Sequence, residues 1–158
     1  MYSVSNFEFI HKAGFTETFS CIEKAMQCYD NDPYQCCSLF RQALESSIDD
    51  LLTIIGKSYK YCSIEYKIRK IRRIAPRKLY PDSIETEMHN LRKIGNLYSH
   101  YRPSSKQKFP QKDRLTCYCA MMNIGKWQIM YAEKYPKHIE KKKNEIKKLQ
   151  KLQRSWLQ

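Results

Sequence analysis

The sequence predicts an all-α fold, a bundle of about five helices followed by a basic C-terminal helix. Apolar residues recur at helical spacing along successive segments, and no segment shows the apolar–polar alternation of a strand. Only 4 glycines and 6 prolines occur among 158 residues. A hydrophobic fraction of 42% over this length is enough to bury one core.

The first elements are an apolar clasp over residues 6–10 and a helix from about Thr16 to Tyr29. The next helix starts with Asp32 as N-cap and Pro33 in its first turn. It continues to Ile55, where Gly56 supplies a C-terminal stop.

Three further helices are predicted over about 63–74, 82–101 and 113–133, with a basic loop over 103–112. Pro136 is predicted to separate the preceding helix from a last segment, 137–157, which has a thin apolar stripe under a basic surface. The chain therefore divides into a helical domain, residues 1–135, and a basic helical tail, residues 136–158.

Charge is distributed unevenly within a net charge of +13. Residues 1–56 carry 3 basic and 8 acidic side chains, whereas residues 57–78 carry 9 and 1, and residues 134–158 carry 9 and 2. Such asymmetry is typical of a polyanionic partner, here nucleic acid, and RNA in preference to DNA. A solvated basic face without a specific ligand is the alternative. The predicted contact residues are Lys67, Arg69, Lys70, Arg72, Arg73, Lys141, Lys142, Lys143, Lys147 and Lys148.

Tyrosines interleave with lysines at the start of the first basic segment, as they do in some RNA-binding surfaces. They are Tyr59, Tyr61 and Tyr66, beside Lys57, Lys60 and Lys67. The general abundance of tyrosine in this chain, 12 residues, offers a simpler explanation of the same pattern.

No apolar run approaches the roughly 18 residues of a membrane span, and the N-terminus lacks the pattern of a secretory signal. The 7 cysteines are odd in number and form no C-x2-C pair. Buried hydrophobic roles in a reducing cytoplasm explain them better than a zinc site does. We expect neither a metal nor a cofactor.

The residues most suggestive of chemistry lie in the segment 91–100. Arg92, Asn96 and His100 are four residues apart, and each such step turns a helix by only about 40°. The three side chains therefore share one face, and His89 projects close to it. A cation, an amide and an imidazole on one stripe are suited to binding or cleaving a phosphodiester.

A structural role explains the same stripe. Gly95 would allow a neighbouring helix to approach closely, and Asn96 would bond a neighbouring backbone. His100 would cap helix-terminal carbonyls. Arg92 would pair with a carboxylate of the long second helix: Glu45, Asp49 or Asp50. On that helix, Arg41 and Glu45 are interpreted as an ion pair or a cross-helix anchor.

The order of several motifs resembles a known family. Ser5–Ile10, Asp32-Pro33, the stretch Phe40–Glu45, and Leu91–Asn96 with His100 follow one another as in the helical domain at the N-terminus of many type I restriction enzyme motor subunits. That domain is usually grouped with the HEPN superfamily and also occurs alone. The resemblance covers about residues 5–135 and excludes the basic tail.

The resemblance implies an all-α bundle that works in prokaryotic defence, as a noncatalytic subunit binding nucleic acid or a larger defence protein. The alternative that it implies is a metal-independent ribonuclease that assembles as a homodimer. There, His100 would move protons, Arg92 would hold the phosphate and Asn96 would orient the reacting groups. The ribose 2′-hydroxyl would be the nucleophile, leaving a 2′,3′-cyclic phosphate. Seven residues separate Arg92 from His100, a longer interval than is usual in HEPN ribonucleases.

Overall fold

The computed structural model describes residues 2–99 and 109–158 and contains helices but no strand within those ranges. A short 3-10 helix, Val4–Phe7, leads into the first α-helix. The α-helices are α1 (Glu8–Lys12), α2 (Thr16–Gln27), α3 (Pro33–Ile55), α4 (Ile64–Ile74), α5 (Asp82–Ser99) and α6 (Pro110–Trp156). The prediction of an all-α fold is confirmed.

Helix α3 is the centre of the bundle, and α2, α4, α5 and α6 all pack against it. Its ends have the predicted chemistry. The Asp32 carboxylate accepts a hydrogen bond from the backbone N–H of Gln35 at 3.1 Å, and Gly56 closes the helix at a left-handed φ of 83°. Apolar residues along its length are fully buried, among them Phe40, Leu44, Ile48 and Leu51.

The N-terminal residues clasp the bundle as predicted. Phe7 and Ile10 are fully buried, and the Asn6 side-chain amide donates to the Tyr118 hydroxyl of α6 at 2.8 Å. A Cβ atom at Gly125 of α6 would lie 2.6 Å from the Ile10 side chain. The small residue in α6 thus lets the N-terminal segment lie close against it.

The predicted helix break at Pro136 is wrong, because α6 runs through this proline without interruption. Proline there removes the backbone hydrogen bond that residue 136 would donate to the carbonyl of Ala132. Its fixed φ is nevertheless compatible with a helix, and the lysines, glutamates and leucines that follow are strong helix formers. The last two predicted helices are therefore one helix of 47 residues.

The two parts of α6 differ in their surroundings. Its first half contributes Cys117, Met121, Ile124 and Tyr131 to the core. From Glu140 onward every residue is exposed. We call residues 140–158 the distal α6 segment. Within the described ranges, no helix is both long enough and apolar enough to cross a lipid bilayer.

Candidate functional site

Arg92 and Asn96 of the predicted stripe line one cleft of about 380 Å³. Its walls come from α3, α5 and the loop that joins α3 to α4, and the lining residues are Arg41, Glu45, Tyr61, Cys62, Ser63, Ile64, Glu65, Arg92 and Asn96. His100, the third residue of the stripe, lies outside the described residues. The structure thus brings together two of the three predicted site residues.

A close contact between α3 and α5 forms the floor of this cleft. A Cβ atom at Gly95 would lie only 2.3 Å from the Cβ of Arg41, so the two helices approach as closely as a glycine permits. The Arg41 Nε donates a hydrogen bond of 2.6 Å to the Asn96 side-chain oxygen. The predicted role of Gly95 and that of Arg41 as a cross-helix anchor are confirmed. The partner of Asn96 is a side chain and not, as expected, a neighbouring backbone.

Arg92 is largely buried, with its side chain 15% exposed. Its Nη1 lies 4.0 Å from a carboxylate oxygen of Glu65, at the start of α4, and not beside a carboxylate of α3 as the sequence suggested. Its Nε is buried and has no hydrogen-bond partner among residues 2–99 and 109–158. This guanidinium therefore retains hydrogen-bonding capacity within the cleft.

Lys67 differs from the other predicted nucleic-acid contacts because its side chain is only 1% exposed. The ammonium group donates to Asp49 at 2.8 Å and lies 3.6 Å from Glu45. A buried ammonium that already pairs with two carboxylates of α3 has no access to a phosphate. We therefore remove Lys67 from the predicted surface.

The remaining basic residues of α4 form a solvent-facing surface, which we call the α4 basic face: Arg69, Lys70, Arg72 and Arg73. Arg69, Arg72 and Arg73 are exposed. The Lys70 ammonium lies 5.7 Å and 5.2 Å from the ring centres of Tyr59 and Tyr66. Arg72 is 3.6 Å from Glu85 of α5, and no described carboxylate pairs with Arg69 or Arg73.

The distal α6 segment carries the second predicted group of contacts. Its basic residues alternate with exposed apolar ones: Ile146, Leu149 and Leu152 are each more than half exposed, and Trp156 is 87% exposed. The predicted contacts Lys141, Lys142, Lys143, Lys147 and Lys148 are all exposed.

His89 lies one turn before Arg92 on the same helix. Its Nε2 is 3.8 Å from Glu85, yet its pKa is lowered, first because partial burial disfavours the charged imidazole and then because Arg92 repels it. A neutral His89 can accept a proton or a hydrogen bond beside the cleft.

Three of the seven cysteines are buried as expected, three are partly buried and one is exposed. Cys36, Cys37 and Cys117 are buried together where α3 meets α6, and burial raises the pKa of the Cys36 thiol to about 12. Cys119 is exposed. Within the described part of the chain, no cluster of three or more histidines, cysteines and carboxylates is arranged to hold a metal ion.

Sequence reasoning did not place Tyr61 or Glu65 in the site. Tyr61 is 96% exposed at the edge of the cleft, and Glu65 faces Arg92 from α4. Tyr61 lies just before α4 and Glu65 lies in its first turn, so their proximity to Arg92 depends on how that helix docks. No local pattern encodes that docking, although the tyrosine–lysine interleaving did mark the loop.

Comparison with known proteins gives one match. Neither a curated protein nor a solved structure matches this chain. A family model, described as a domain of unknown function, DUF4145, matches residues 23–151. The match spans the last five residues of α2, all of α3, α4 and α5, and α6 as far as Lys151. It contains every residue of the cleft. The chain therefore belongs to the DUF4145 family.

Proposed function

We propose that this protein is a nucleic-acid-binding, HEPN-like module of a prokaryotic defence system, with RNA as the preferred ligand. The observation that carries the proposal is the α4 basic face. A larger protein of the same system is the second partner expected from the resemblance to restriction enzyme subunits.

The way in which α4 docks supports this proposal. Ile64, Ile68 and Ile71 are buried, and Lys67 joins them on the inward side, where Asp49 and Glu45 neutralise it. Because one side of α4 is buried, helical geometry places the other cations of α4 on the opposite side, which faces solvent. Arginines that lack an internal partner are suited to bidentate contacts with phosphate oxygens.

The distal α6 segment adds a second, extended row of cations. Its exposed lysines lie on a helix that continues beyond the bundle, where phosphates have access to every one of them. Two separate basic surfaces on one small chain favour a polymer, because a polymer can engage both at once.

The test is the salt dependence of RNA binding, measured by fluorescence anisotropy at salt concentrations from about 50 to 200 mM. We expect the double variant Arg69→Gln/Arg73→Gln to reduce the slope of log K against log salt by about 1.4 for a single strand. A matched double variant, Lys12→Gln/Lys24→Gln, removes the same charge from the acidic N-terminal part and should leave the slope unchanged.

Removing residues 137–158 should reduce the slope further and leave the bundle folded, because the described side chains removed are exposed. Binding that does not respond to salt, or that responds equally to both double variants, would contradict the proposal.

A metal-independent ribonuclease is the second candidate, favoured by the meeting of Arg92 and Asn96 in one cleft. Incubation of EDTA-treated protein with RNA, scored for cyclic-phosphate ends, tests it. If the cleft is catalytic, His100→Ala and Arg92→Ala should each slow cleavage by about 10²-fold or more. Lys93→Ala, an exposed neighbour on α5, is the control. Intact RNA after incubation with the wild type would exclude the enzyme.

A further inference from the structure

We infer that the cleft between α3, α5 and the α3–α4 loop is a subsite for one unpaired nucleotide of a single strand. In this subsite Arg92 binds the phosphate and Tyr61 stacks on the base. The inference rests on the proposed function and deepens it, since it requires neither cleavage nor His100.

The phosphate contact follows from the state of Arg92. Its side chain is mostly buried, its Nε has no partner in the described part of the chain, and its ion contact with Glu65 is long, at 4.0 Å. Leaving such a donor unsatisfied is costly. The Nε itself has almost no exposed surface, so a phosphate oxygen in the cleft would bind the exposed part of the guanidinium, and the nearby Arg41 guanidinium would add positive charge.

The carboxylates of the cleft determine how strongly it attracts an anion. Glu45 lies 3.6 Å from the buried Lys67 ammonium, which it shares with the closer Asp49, so its charge is offset only in part. Glu65 is half-exposed and is the one described carboxylate within 4.0 Å of Arg92, so it competes with a phosphate for this guanidinium. Neutralising Glu65 should therefore strengthen binding, an effect opposite in sign to that of removing a cation.

The base contact follows from the position of Tyr61. An aromatic side chain that is 96% exposed on the edge of a polar cleft has no packing role to explain it. Base–aromatic stacking is independent of sequence because every base has a flat π-face. The neighbouring rings of Tyr59 and Tyr66 are already engaged with each other and with Lys70, so Tyr61 is the available platform in this loop.

The geometry selects a single strand. A cleft of about 380 Å³ falls within the size range of small-ligand pockets, roughly 300–1,000 Å³. Only an unpaired nucleotide can turn its base out onto Tyr61, because bases in a duplex are stacked on one another. Duplex RNA would engage the α4 basic face alone.

The experiment compares a 12-nucleotide single-stranded RNA carrying one 2-aminopurine with a duplex of the same sequence. Stacking on Tyr61 should change the 2-aminopurine fluorescence on binding. Tyr61→Leu should weaken single-strand binding by about fivefold or more and leave duplex binding unchanged. Tyr61→Phe, which keeps the ring, should bind as the wild type does.

The variant Glu65→Gln tests the phosphate contact independently of the base contact. It should tighten single-strand binding by about two- to fivefold, the worth of a competing exposed ion pair. If Tyr61→Leu and Glu65→Gln both bind as the wild type does, the subsite is wrong, whereas a salt slope that still depends on Arg69 and Arg73 leaves the proposed function standing. Absence of salt-dependent binding to either RNA would remove both.

Discussion

Single residues determine the shape of the cleft, and Gly95 is one of them. Its missing side chain allows α5 to lie directly on the Cβ of Arg41. That contact in turn fixes the hydrogen bond between Arg41 and Asn96. The conformation of one wall of the cleft is therefore set by a residue that contributes no side chain to it.

Gly95→Ala should consequently destabilise the protein. A β-carbon cannot rotate away from a neighbour at 2.3 Å, so α3 and α5 would have to separate. Overpacking costs about 1–3 kcal/mol, and a Cβ–Cβ distance of 2.3 Å places this substitution at the upper end of that range. The higher helix propensity of alanine returns about 1 kcal/mol, so we expect a net loss of about 2 kcal/mol in the free energy of unfolding. Urea denaturation measures it, with Lys93→Ala as the control. Unchanged stability would show that the helices are not in this contact.

His89 should make stability depend on pH. Because its pKa is lower in the folded protein than the ordinary 6.5, the unfolded chain binds a proton more readily. The free energy of unfolding should therefore fall as the pH drops through 6.5 toward the folded pKa. His89→Gln should remove this part of the pH dependence. A variant that follows the wild-type curve would mean that other groups cause it.

At the scale of helices, α4 is held to the bundle by a buried charge as well as by its isoleucines. The Lys67 ammonium is 1% exposed, whereas Asp49 and Glu45 are about half-exposed and retain contact with water. The two sides of this interaction are therefore unequal: the cation depends on its partners more than they depend on it.

Asp49→Ala should accordingly cost more stability than Lys67→Met. The first leaves a buried ammonium with only the more distant Glu45, whereas the second keeps the buried aliphatic stem and leaves two carboxylates that water can solvate. Thermal denaturation of both variants and of the double variant tests the order. The reverse order would mean that the carboxylates are the costly partners.

Local sequence signals predicted where helices begin and end better than they predicted which side chains are buried. Asp32, Pro33 and Gly56 act within one turn of their own positions, so the ends of α3 could be read directly. The prediction at Pro136 is wrong because the cost of a proline is local, whereas continuation of the helix depends on the residues around it. The prediction that Lys67 contacts nucleic acid is wrong, although its helical spacing from Ile64 and Ile71 already indicates the inward face of α4.

The candidate site was predictable only in part, for a related reason. Arg92 and Asn96 share a face by helical periodicity alone. The contributions of Arg41, Tyr61 and Glu65 depend on how three elements pack, which no single segment encodes. Tertiary contacts over long sequence separations created the cleft.

At the scale of the whole molecule, the acidic and basic segments of the chain form different helices. The acidic N-terminal part forms α1, α2 and α3, while the strongly basic segments form α4 and the end of α6. Repulsion between like charges disfavours a symmetric contact through the acidic part or through either basic segment, so two copies would meet through a surface outside them.

The expected assembly is a homodimer with the polar stripes of two α5 helices close together. Light scattering at micromolar concentration should give twice the 19.0 kDa mass of one chain. A monomer throughout that range would remove the dimer and weaken the ribonuclease candidate, which needs histidines from two copies. The single-nucleotide subsite would be unaffected, since one chain supplies all of its residues.

The exposure of the distal α6 segment should affect how often its backbone hydrogen bonds open. Met121, Ile124 and Tyr131 tie the first half of α6 to the core, but its exposed end depends almost wholly on its own backbone hydrogen bonds. Isolated helices of this size are marginal in water. The distal amides should therefore exchange with deuterium through frequent local opening, while those before Tyr131 exchange only when the bundle unfolds. Bound RNA or a bound protein should slow the exchange of these distal amides. The exchange rate of the distal α6 segment should therefore show whether a ligand is bound to it.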